Sequence, residues 1–280
     1  MPMQSVLDET ATFMEHLGLT EEPFGVHFAD TTPEKSFGPK KGVPISRELE
    51  DKGDLNMQEV MKSFSCVMGN VWLARKKKAA AFISAEHYGC PGGVYYCSML
   101  TPHLRFIERY VSTGFEGTPV EGERYMPNPD AMRDFMLEVN PRKAPAKYCI
   151  FKPLSHFTEE EQPEFVIFFA RPEVVSGLFT QATFATGDMQ CVVSPFGAGC
   201  TNMIGWPLYY KERGEEKAVL GGFDPSARKF MKTDELTFTT PLSLYEKMLG
   251  ALPESMFTRD TAWKSVRKKV DRSAKAWGEE

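Results

Sequence analysis

Cys90 and Cys200 are the residues whose setting first suggests chemistry. Each adjoins glycine, in Gly89-Cys90-Pro91-Gly92-Gly93 and in Gly197-Ala198-Gly199-Cys200, and each stands where a helix is expected to begin. Unpaired backbone N–H groups and the positive end of the helix dipole lower a thiol pKa at such a position, which predicts ready thiolates. Eight residues separate Cys191 from Cys200, across the turn Ser194 to Gly199, so these two sulfurs can converge. Cys66 is expected on a buried helix, on the side opposite Phe64 in helical projection. Together Cys66, Cys90, Cys191 and Cys200 form a candidate ligand set for an iron–sulfur cluster, with zinc as the alternative metal. No tight Cys-x-x-Cys pair supports either assignment. A redox disulfide between Cys191 and Cys200, or a nucleophilic Cys200, ranks below the cluster. Cys97 and Cys149 fall in aromatic or β-branched stretches and read as small hydrophobes filling a core.

Around these sulfurs other candidates are sparser. His87, three residues before Cys90, has the chemistry of a ligand, proton relay or hydrogen-bond donor to a ligand, against the plainer role of a satisfied junction residue. Arg228 follows Asp224-Pro225-Ser226 at the front of a short helix, where guanidinium and helix N–H groups cooperate to bind an anion or cofactor; pairing with a carboxylate is the commoner role. His16, His27, His103 and His156 are scattered singly, and no Ser-His-Asp order, HExxH or nucleophile elbow supports a hydrolase.

The elements that must position these residues follow from periodicity and punctuation. Val6, Leu7, Thr10, Phe13, Met14 and Leu17 recur at helical spacing, and Gly18 supplies the stop. Phe24 to Phe28 reads as a strand, followed by a Pro/Gly-rich loop through Pro44. One helix is expected from Asn56 to about Lys76, a strand at Ala79 to Ser84, and helices after Cys90, near Leu104 to Val111 and from Pro129. Tyr148 to Phe151 and Phe165 to Phe169 read as central strands, and Pro172 opens a helix. Cys191 to Val193 makes a short strand. Beyond Cys200 a short helix closing at Gly205 and Pro207 is expected, then a strand at Leu220 to Phe223 and helices at Leu244 to Leu252 and Ala262 to Ala276. The mixed order predicts an α+β fold with a mixed or mostly antiparallel sheet and packed helices, in one composite domain over residues 1–280.

Composition bounds the partners. The chain carries 42% hydrophobic residues and a net charge of −5, and its basic runs are confined to Arg75 to Lys78 and a C-terminal helix face. Without a broad positive field the phosphate contribution to nucleic-acid binding is missing, so no nucleic acid is expected. No apolar run approaches the roughly twenty residues needed to cross a bilayer, so no membrane span is expected. The acidic N-terminus lacks the basic and apolar regions of a secretory signal, which predicts a cytoplasmic protein with reduced thiols. Expected partners are a small molecule or a redox partner protein, and an apolar, methionine-rich chain of this size is compatible with a homodimer.

The segment SFSCVMGNVWLARKKKAAAFISAEHYGCPGGV, with Cys66 early in a helix and then His87-Tyr88-Gly89-Cys90-Pro91-Gly92-Gly93, resembles the signature region of the family called domain of unknown function 169. The family-like region runs over about residues 10–235, to LGGFDPSARKF, with C-terminal helices at 241–276 beyond it. The resemblance implies two further cysteines downstream, matching Cys191 and Cys200. Asp188-Met189-Gln190 departs from it, because an arginine is common before the third cysteine. The family carries no assigned activity. Cysteine chemistry therefore supplies the expected function: an iron–sulfur or other metal centre serving electron transfer or redox chemistry on a small molecule. A metal-free small-ligand binding or accessory protein, with incidental cysteines, is the alternative.

Overall fold

The computed structural model describes residues 1–62, 64–118, 121–258 and 262–278. Its frame is a seven-stranded open sheet in the order β2-β3-β1-β4-β7-β6-β5. The strands are β1 (Phe24–Ala29), β2 (Ala81–Ser84), β3 (Tyr148–Pro153), β4 (Phe165–Ala170), β5 (Val192–Val193), β6 (Ala218–Gly221) and β7 (Leu236–Pro241). All pairings are antiparallel except the short β5·β6 pair. The expected α+β class and mostly antiparallel sheet are thus present.

β4 shows how the sequence builds two layers. FVIFFA is apolar at every position and buried at every position, as a central strand covered on both faces must be. Successive side chains point to opposite faces. Phe165, Ile167 and Phe169 join one apolar cluster, whereas Val166, Phe168 and Ala170 join another. Residues of α1 (Met3–Leu17), α8 (Pro172–Thr186), α10 (Leu242–Gly250) and α11 (Ala262–Trp277) fill the second cluster. The first receives α3 (Met57–Lys62), α4 (Val67–Lys77), α5 (Pro91–Tyr96), α6 (Arg105–Val111), α7 (Pro129–Val139) and α9 (Trp206–Glu212); the remaining short helix, α2, spans Arg47–Lys52.

Local chemistry sets many boundaries where expected. Gly18 ends α1 in the left-handed conformation, and Asn128 caps α7 by accepting the Ala131 N–H at 2.8 Å. Three expectations need correction. The single helix from Asn56 to Lys76 is two, α3 and α4, because the chain turns extended at Cys66 and Ser65 donates its N–H to Gly89 O at 3.2 Å instead of continuing a helical ladder. The segment after Cys200 does not stop at Gly205 and Pro207. A π-helical turn, Thr201–Gly205, runs directly into α9, where Pro207 occupies the first turn and needs no donor. β7 was not anticipated, since its Thr-rich alternation looks polar, yet Thr237, Thr239 and Thr240 are fully buried beside β4 and β6.

Candidate functional site

Three elements on the first face of the sheet start with a cysteine. Cys66 precedes α4, Cys90 precedes α5, and Cys200 precedes the π turn that leads into α9. Gly89 ties the first two together. It sits at φ +65°, and a Cβ there would fall 2.2 Å from Ser65 Oγ and 2.7 Å from Ser65 O, so only glycine permits the backbone contact that holds Cys66 beside the Cys90 turn. Gly199 allows a close side-chain approach for the third, since a Cβ there would meet Met68 Sδ of α4 at 2.7 Å.

The three cysteines open onto one cavity of about 230 Å³. Most of its wall is apolar. Phe106 and Tyr110, stacked at 5.6 Å, form one side, while Phe135 and Phe196, edge to face at 6.3 Å, form another. Tyr96 lines it too, with a buried hydroxyl that faces Thr201. A polar end is built by Glu123, Tyr125, Asp224 and Ser226, with Lys229 exposed at the rim. Asp224 is 3% exposed and accepts from Ser226 N and Oγ at 2.9 Å and from Gly199 N at 3.4 Å. Among the described residues the Glu123 carboxyl has no such partners. Burial first, and then Asp224, raise its pKa to about 7.

The thiols do not behave as the helix starts alone would predict. Gly93 N–H points at Cys90 Sγ over 3.3 Å, yet burial outweighs that donor and pushes the Cys90 pKa up to about 12. Burial likewise raises Cys66 against the N–H groups of Met68 and Gly69, and raises Cys200, which the neighbouring thiols of Cys97, Cys90 and Cys66 push further. Without a cation the three stay protonated; a metal would supply the charge that releases their protons.

Cys191 lies elsewhere. It is buried in the second apolar cluster, across the sheet, with Thr183 Oγ1 of α8 3.7 Å from its sulfur. Its eight-residue separation from Cys200 spans β5 and the turn back to the other face, so nearness in sequence does not become nearness in space. His87 also stands off the cavity. Its Nδ1 is 3.0 Å from Pro39 O and its ring packs against Phe82, while its backbone closes the turn after β2. Arg228 is spent on carbonyls, bonding Gly222 O at 3.1 Å, Lys232 O at 2.8 Å and Thr233 O at 2.7 Å, so it clamps the loop before β7 rather than facing a ligand.

Sequence reasoning missed Glu123, Tyr125 and Tyr96. Glu123 and Tyr125 sit in an irregular passage with no periodicity to mark a face, and only their Gly/Pro-rich surroundings hinted at a built loop. It also set aside Cys97 and Cys149. Both are fully buried, and Cys97 is pushed well above the ordinary thiol range by burial and then by Cys149. Cys97 therefore stands behind Cys200, outside the cavity wall.

The fold and cavity define an α+β protein with a thiol-lined, mainly apolar cavity. Its sequence matches the profile of domain of unknown function 169, described as uncharacterised ArCR, over residues 12–251, and the chain belongs to that family. No curated protein and no solved structure matches the chain.

Proposed function

We propose that the cavity is a cysteine-ligated iron–sulfur site, with Cys66, Cys90 and Cys200 as protein ligands, serving electron transfer or redox chemistry on a small molecule held in the apolar space beside it. The observation that carries this reading is the convergence of three sulfurs, remote in sequence, from the starts of three elements onto one cavity. A mononuclear zinc site fits less well. It requires donors gathered about 2.3 Å from one ion, and among the described residues no group of three or more His, Cys, Asp or Glu is placed to hold a single metal ion. A four-iron cluster would spread its ligands more widely, because each cysteine would bind a different iron, and Cys66, Cys90 and Cys200 are the residues that would hold it.

When bound, such a cluster supplies one-electron chemistry; the protein's own groups supply the rest. The aromatic wall excludes water, N–H groups at the starts of α4 and α5 face the sulfurs of Cys66 and Cys90, and Glu123 is a carboxyl able to hold or release a proton near neutral pH. Reduced thiols suit a cytoplasmic setting. Among the described residues no helix is long and apolar enough to cross a membrane.

The test is a set of variants purified without oxygen. Cys66→Ser, Cys90→Ser and Cys200→Ser should each lose most of the visible absorption of the centre, whereas Cys191→Ser should keep it. Equal loss in all four variants, or none in the first three, refutes the ligand assignment. A second reading, a metal-free pocket for a small apolar ligand, is favoured by the aromatic lining and by the absence of a single-ion site among the described residues.

A further inference from the structure

The polar end of the cavity carries information about what enters it. Two carboxyl groups, Glu123 and Asp224, line the space, against a single cationic residue, Lys229. Lys229 forms no ion pair with either; its Nζ lies 5.0 Å from the Phe230 ring at the exposed rim. Asp224 already has its N–H and O–H donors, so it adds negative character without needing a guest. Glu123 differs, because among the described residues its half-buried carboxyl has no hydrogen-bond or ion-pair partner, and partial burial disfavours its charged form. Beside these groups stand ring faces, whose negative quadrupoles attract cations.

We propose that the cavity binds a small organic cation, an amine on a compact apolar body, with its ammonium against Glu123 and its body between the Phe106–Tyr110 and Phe135–Phe196 walls. An anion of the same shape would face both carboxyls with no buried countercharge. A neutral alcohol can donate one hydrogen bond to Glu123 but brings no countercharge. The inference rests on the proposed function only in taking this cavity as the ligand site, and holds whether or not the sulfurs carry a cluster.

The probes are 2-phenylethylamine, 2-phenylethanol and 3-phenylpropionate, with n-butylamine as a smaller amine. Each is titrated calorimetrically into the full chain, both metal-free and after anaerobic cluster reconstitution. The amines should bind at least about tenfold tighter than the alcohol, and the carboxylate weakest, since a hydrogen bond to a charged group contributes roughly 1.5–3 kcal/mol. Glu123→Gln should weaken the amines by about tenfold or more and change the alcohol far less, because glutamine keeps an acceptor oxygen but not the charge. Circular dichroism confirms that the variant folds. Equal affinity for alcohol and amine, tighter binding of the carboxylate, indifference to Glu123→Gln, or no amine binding at millimolar concentration overturns the assignment. A colourless, iron-free protein that still prefers amines rejects the cluster and keeps the cation site; an iron-loaded protein indifferent to amines does the reverse.

Discussion

At the scale of single residues, the site is governed by burial competing with local donors. Cys90 receives the Gly93 N–H and still has its pKa pushed up to about 12, so the thiol is protonated at neutral pH, and a bound cation would favour its ionisation. Glu123 carries the same conflict with a measurable cost. Its folded pKa, about 7, lies above the ordinary carboxyl value, so between those limits the native state binds the extra proton. Stability contributed by this group is therefore lost as pH rises through that window and stays lost above it. Glu123→Gln should stabilise the ligand-free protein by about 1–2 kcal/mol at pH 8, after discounting for partial exposure, and leave it unchanged at pH 4.5. Denaturant midpoints at the two pH values check this, and a variant that loses stability at pH 8 contradicts it. None of this was legible beforehand. The sequence reveals which cysteines border glycine, not how deeply each is covered.

At the scale of elements, the starts of α4 and α5 are locked together by one glycine. Gly89 combines a left-handed backbone with the Ser65 contact that turns the chain into Cys66. Gly89→Ala should cost about 2–4 kcal/mol from the strained φ and the backbone clash, and should disrupt the Cys66–Cys90 pairing even in molecules that fold. Chemical unfolding measures the first effect, and metal content of the folded fraction the second. A variant with wild-type stability would show that Gly89 is not the constraint described. Here the sequence was partly legible. The Gly-Cys-Pro-Gly pattern marked the start of α5 correctly, because proline and glycine act locally. The break between α3 and α4 escaped, because Met57 to Trp72 keeps an apolar periodicity through it and the tertiary bond from Ser65 to Gly89 decides the matter.

At the scale of the whole molecule, the sheet divides the cysteines. Strand patterning exposed the α+β class and the central place of β4, since an unbroken apolar strand must be covered on both faces. It could not say which face each helix would cover. That is why Cys191 was grouped with Cys200 although they lie in opposite layers, whereas Cys97 is the core residue its aromatic surroundings suggested. β7 escaped for a related reason, because buried threonines between strands look like surface polarity in one dimension. Membership of domain of unknown function 169 over residues 12–251 covers both layers.

Iron and acid-labile sulfide, assayed on the wild-type chain purified without oxygen, address the central claim most directly. The account predicts a coloured protein with both elements in similar amounts, well above one per chain. A colourless preparation whose cavity thiols all titrate freely after unfolding, with neither element present even after reconstitution, would contradict it.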